Sequence, residues 1–145
     1  MKQRRTFLKS AVGLGAGAAT AAAAAPGGRT LVKGGVRLGN LFFSSGLTGL
    51  RPEARKDPKA PAGDIKEQTE RILEAHKANL EALGSSLENV LKVTVFLADV
   101  RGEKQGMNEV YAKYFPKSAP ARSAVGVSFP DDATRVEIEL VAWVP

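Results

Sequence analysis

The residue best suited to hold a small charged molecule is Arg122, in the run Pro120-Ala121-Arg122-Ser123-Ala124-Val125-Gly126-Val127. Alternation along a strand puts Arg122 on one face with Ala124 and Gly126, and Ser123, Val125 and Val127 on the other. A guanidinium beside such small neighbours has open space around it, keeps its charge at ordinary pH and can grip a carboxylate through two parallel hydrogen bonds. The same group would equally serve an ion pair with Glu137 or Glu139 that stitches subunits together, and spacing leaves both readings open.

Glu137 is the second candidate. In the run Arg135–Val144, Val136, Ile138, Leu140 and Ala142 make an apolar face, while Glu137, Glu139, Val141 and Trp143 make the other. That second face is too polar for a core and too apolar for open solvent, which suits a subunit interface with a pocket in it. A carboxylate on it is placed for acid–base work. Asn108, on the polar side of a predicted helix, offers an amide as donor or acceptor. Gly46, after Ser44-Ser45, would let a backbone N–H approach a ligand closely or would simply turn the chain.

These residues need a scaffold. Two strand-like runs between Leu31 and Ser45 surround Gly39-Asn40, a tight-turn dipeptide. Residues 50–63 are polar and proline-rich and read as a loop. From Asp64 to Leu83, apolar residues recur at spacings of three and four, with Asp64 and Glu67 as a capping box and Gly84 as the stop. His76 falls on that apolar stripe with no acidic or nucleophilic partner at helical spacing, so it reads as a packing residue. Leu91–Ala98 alternates as a strand, and Glu103–Phe115 reads as a second helix with Met107, Val110, Tyr111, Tyr114 and Phe115 on one face. Tyr111 and Tyr114 read as core or rim. Two last strands, 121–127 and 135–144, complete an α+β sandwich with both helices on one face of a sheet.

Composition narrows the chemistry. The chain has 145 residues, no cysteine and one histidine. This is one domain's worth of chain, without the means for disulfides, iron–sulfur clusters or a cysteine nucleophile, and poor in metal ligands. The net charge of +6 is unevenly spread: Lys2, Arg4, Arg5 and Lys9 precede any acidic residue, leaving 17 basic against 15 acidic residues, +2, over positions 26–145. That is a weak field for phosphate, and no basic stripe with interleaved aromatics is visible, so nucleic acid is not an expected partner. Residues 1–25 read as an export segment. Arg4-Arg5-Thr6-Phe7-Leu8-Lys9, then a weakly apolar Ala/Gly run, resembles a twin-arginine signal, with Gln3 where Ser or Thr is usual. The run is too weakly apolar for a membrane anchor. The expectation is a signal over 1–25, a domain over 26–145, and a periplasmic or secreted product with no stable membrane span after signal removal.

From about Leu31 onward the chain resembles the Rid, or YjgF-like, family of reactive-intermediate deaminases. The resemblance rests on the Pro120–Val127 run and Val136-Glu137-Ile138-Glu139. Leu38-Gly39-Asn40, Ser44-Ser45-Gly46, Gln68-Thr69, Val93–Leu97 and Met107-Asn108-Glu109-Val110-Tyr111 support it. It implies a chorismate-mutase-like α+β subunit in a homotrimer, with clefts between subunits that hydrolyse 2-imino or enamine acids to 2-keto acids and ammonia without a cofactor. Arg122 then matches the arginine that holds the substrate carboxylate, and Glu137 the carboxylate that helps place water. Ser45, Gly46 and Asn108 match positions lining the cleft, and Ala124 stands where some members carry a cysteine. Leu31 and Val32 occupy the stretch where a site tyrosine is often found. The same cleft would also suit a trimer that binds a small carboxylate without turning it over.

Overall fold

The computed structural model describes residues 28–145. The expected export segment, 1–25, lies outside the described residues.

Tight turns build the first part of the sheet. Strands β1 (Arg29–Val32), β2 (Gly35–Leu38) and β3 (Leu41–Ser44) form an antiparallel meander. Gly39-Asn40 makes the expected turn, with Gly39 at φ +57. The two-strand reading of Leu31–Ser45 missed another turn at Lys33-Gly34, where Gly34 takes φ +82, and therefore missed the separate β1. The two-residue β4 (Leu47–Thr48) was also unannounced. It is too short to show a period.

Helix α1 (Ile65–Ala82) begins at the capping box read from sequence: Glu67 N donates to Asp64 Oδ1 at 2.9 Å and Asp64 N to Glu67 Oε2 at 3.3 Å. Strand β5 (Val90–Leu97), helix α2 (Lys104–Tyr114) and strand β6 (Ala121–Gly126) form a crossover unit, with β6 parallel to β5. Strand β7 (Val136–Trp143) then inserts between β3 and β5, antiparallel to both, and also pairs with β4. The sheet order is β1-β2-β3-β7-β5-β6, with β4 beside β7, so β6 is an edge.

Both helices lie on one face, as the periodicity predicts. Val93, Val95, Leu97, Val136, Ile138, Leu140 and Ala142 are buried with Ile72, Leu73, Leu80, Met107 and Val110. Each large aliphatic side chain so buried contributes about 1.5–3 kcal/mol, which fixes which sheet face turns inward. Among the described residues no layer covers the other face. Leu41, Phe43, Val125 and Trp143 are 36–44% exposed there, a row of apolar side chains that a subunit interface would cover.

Candidate functional site

The register separates the two leading residues. Arg122 pairs with Val93 across β5–β6, and Val93 is fully buried under the helices, so the Arg122 side chain emerges on the helix side of the edge strand. Glu137 pairs with Phe96 and alternates with buried Val136 and Ile138, which puts it on the open face. A single chain therefore does not bring Arg122 and Glu137 together, and neither Glu137 nor Glu139 is its ion-pair partner within the chain.

On the helix side, the Arg122 guanidinium carbon lies 4.5 Å from the centre of the Tyr111 ring, and Nη1 lies 3.9 Å from Met107 Sδ. Among the described residues no carboxylate comes within 4.0 Å of it. Asn108, Tyr111, Ala112, Phe115, Pro120 and Arg122 line an open cavity of about 320 Å³. Asn108 Oδ1 and Tyr111 Oη are buried without a hydrogen-bond partner. Asn108 thus faces the arginine cavity instead of the polar side expected of it. One helical turn before Tyr111, it sits at the margin of the buried stripe, where periodicity alone cannot assign a side. Burial pushes the Tyr111 hydroxyl up to about 12 against the opposing pull of the Arg122 charge, so the phenol is neutral. Ala124, half-buried beside Val95, packs against the core and is not part of the cavity lining.

On the open face, Glu137 is held by its strand and by Gly46. A methyl group on Gly46 would stand 1.9 Å from Glu137 Oε1, so the carboxylate lies where any other side chain would be. A side chain at 46 would have to displace the Glu137 carboxylate, and glycine is not needed there for its backbone, since its φ is not positive. Ser45 is exposed at the same bend, and its backbone N–H is already used, donating to Gly34 O at 2.8 Å. Ser44 closes the gap between β3 and β4, its Oγ accepting from Leu140 N at 2.8 Å.

Three further tethers hold β7 at this point. Gln68, fully buried, donates from Nε2 to Gly63 O and Ala133 O and accepts at Oε1 from Arg135 N. His76 Nε2 donates to Ile138 O at 2.9 Å, next to Glu137, so the proton sits on Nε2 and Nδ1 is left buried without a partner. Arg135 is spent on Glu103, at 2.7 Å from Nε. The sequence places Met107 on the apolar face of α2 and Tyr111 in the core or at its rim, and both are buried in the core as well as touching Arg122. Their spacing of four residues on α2, facing a strand that carries an arginine, is the signal that would have found them.

A two-helix layer on an extended, mainly antiparallel sheet, with an edge-strand arginine that has no carboxylate partner among the described residues, defines an α+β domain of the YjgF type. The chain belongs to the endoribonuclease L-PSP family, the RidA/YjgF group: the family's profile matches residues 22–144. It is 44% identical over 108 residues to a RutC family protein of Pyrococcus abyssi, covering 74% of this chain and 82% of the relative. It is 38% identical over 107 residues to the chloroplastic Reactive Intermediate Deaminase A of Arabidopsis thaliana, covering 74% of this chain and 55% of that protein. Among solved structures, yeast Mmf1 superposes with a TM-score of 0.67 at 34% identity, over 84% of this chain and 94% of that one. A YjgF/YER057c/UK114 family member from Mycobacterium tuberculosis superposes with a TM-score of 0.64 at 28% identity, over 77% and 85%.

Proposed function

We propose that the protein is a homotrimeric, cofactor-independent imine and enamine deaminase. It would convert 2-imino acids of the 2-iminopropanoate and 2-iminobutanoate type to 2-keto acids and ammonia. The observation that carries this reading is that one cavity is lined both by Arg122, whose guanidinium has no carboxylate partner among the described residues, and by Asn108, whose Oδ1 has no hydrogen-bond partner. A 2-imino acid presents a carboxylate and a protonated C=N on adjacent carbons, which matches a fork of donors beside an acceptor.

In this mechanism Arg122 grips the carboxylate and Asn108 Oδ1 accepts an imine N–H. Glu137, from the open face of a neighbouring copy, takes a proton from the water that attacks C2. The same carboxylic acid returns that proton to the nitrogen; as the C–N bond breaks, the C2 hydroxyl gives its proton to the freed carboxylate and C=O forms, and the carboxylic acid passes this proton to the departing ammonia, so that the keto acid and ammonium leave. A protonated imine is already electrophilic, so orientation and one acid–base group are sufficient help. The reading predicts faster ammonia release from a freshly generated 2-imino acid with wild-type protein, and no acceleration with Arg122→Ala. Equal rates for the two proteins reject it.

A second reading, a trimer that binds a small carboxylate without turnover, is favoured by Leu31, 74% exposed on β1 and unable to supply a hydroxyl. Calorimetric binding of a 2-keto acid with no imine hydrolysis selects it. We do not extend the family's nuclease description to this chain, because a net +2 over residues 26–145 offers little attraction to phosphate. We also propose twin-arginine export, with periplasmic or secreted deaminase as the product. Replacing Arg4-Arg5 by two lysines should leave the uncleaved precursor in the cytoplasm, and unchanged export overturns that assignment.

A further inference from the structure

We propose that Tyr111 is a positioning residue for the anion site, a platform that holds the Arg122 guanidinium in place while leaving its hydrogen-bond donors free. This rests on the reading of Arg122 as the carboxylate-gripping group. Arginines elsewhere in the fold show the alternative. Arg135 is fixed by Glu103 and Arg51 by Glu67, and in each case the charge is compensated and at least one donor is taken by the partner. Arg122 is instead held by soft contacts, the Tyr111 ring at 4.5 Å and the Met107 sulfur at 3.9 Å from Nη1. A ring face attracts a cation through its quadrupole and takes no N–H in doing so. A thioether is at best a weak acceptor. A carboxylate in their place would anchor the arginine more firmly and leave it neutralised, with fewer donors for a guest.

The platform is itself rigid. Tyr111 is 5% exposed, one turn from fully buried Met107, and its ring packs on Phe115 with centroids 4.6 Å apart. The sulfur and the aromatic face come from the same side of α2. The helix therefore fixes the guanidinium on an edge strand that has no neighbouring strand on its outer side. The part of Tyr111 that matters in this account is the ring, and the hydroxyl is dispensable.

The test separates ring from hydroxyl and position from stability. Tyr111→Phe should keep KM for a 2-imino acid, and the Kd of the corresponding 2-keto acid, within about twofold of wild type. Tyr111→Leu should raise both roughly 3- to 30-fold, with kcat much less affected. Site-specific placement of progressively fluorinated phenylalanines at 111 keeps the ring's shape while draining its negative face. Kd for pyruvate should climb along that series at constant Tm, while Kd for the uncharged pyruvamide stays flat. A flat pyruvate series, or Tyr111→Phe as impaired as Tyr111→Leu, overturns the platform. If wild type and Arg122→Ala bind pyruvate alike, the reading of Arg122 fails and takes the platform with it. If only Arg122→Ala loses binding, the anion site stands and Tyr111 has no part in it.

Discussion

At Gly46 there is no room for even a methyl group, because the Glu137 carboxylate already occupies the space. Gly46→Ala should push Glu137 out of line and lower kcat by about 10- to 100-fold, a cost typical of a misplacement near 1 Å. Binding of a keto acid should survive, since the Arg122 guanidinium that grips the carboxylate does not touch Gly46. Steady-state kinetics beside calorimetry checks both, and an unchanged kcat would remove Glu137 from the chemistry. Residue type and strand alternation single out Arg122 and Glu137, and its place at a strand end singles out Gly46. That Gly46 gives its space to the Glu137 carboxylate is not legible, because it is a contact between positions 91 residues apart.

Strand β7 is placed by side chains reaching across from other elements. Gln68 makes three hydrogen bonds that join the start of α1 to the segment entering β7. Gln68→Ala strands two carbonyls and one N–H, and should lower unfolding free energy by roughly 1–3 kcal/mol, read from denaturant midpoints. Asp64→Ala removes one half of the capping box and should cost about 1 kcal/mol by the same measurement. The helices, the cap of α1 and the inward face of β7 could be read from period and capping residues, since these are local properties of the chain. β1 and β4 could not: a four-residue strand behind a Lys-Gly turn and a two-residue strand have too few positions to declare a period. The side of α2 that Asn108 faces also escaped, because a residue on the border of an amphipathic stripe is assigned by what packs against it.

For the whole molecule, the separation of Arg122 and Glu137 on opposite sheet faces makes assembly the central question. Under the proposed arrangement the Arg122 of one copy meets the Glu137 of another. Co-assembling Arg122→Ala with Glu137→Ala chains should then restore activity that neither variant has alone, to about a quarter of wild type for a random mixture around a ring. No recovery would place both residues in one subunit's site or neither in any. Stability should also depend on pH through the single histidine. Burial lowers the proton affinity of His76, and its hydrogen bond to Ile138 O only partly opposes this. Below the ordinary value of 6.5 the unfolded chain takes up a proton that the folded chain refuses, so stability falls as pH drops from there. The slope should approach 1.4 kcal/mol per pH unit at most. Melting temperatures between pH 7.5 and 5.5 should fall for wild type and stay nearly level for His76→Gln.

Local chemistry is enough to specify the helices, the alternating strands, the apolar face of β7 and the identity of an arginine and a glutamate worth attention. Each follows from a residue's type and its spacing from near neighbours. Which face of the sheet each one occupies depends on strand order and register, and on the insertion of β7 between β3 and β5. These are set by packing between segments far apart in the chain. The same packing slides Tyr111 and Met107 beneath Arg122 and leaves Asn108 Oδ1 without a partner, so only the folded arrangement shows that two core residues also touch the edge-strand arginine.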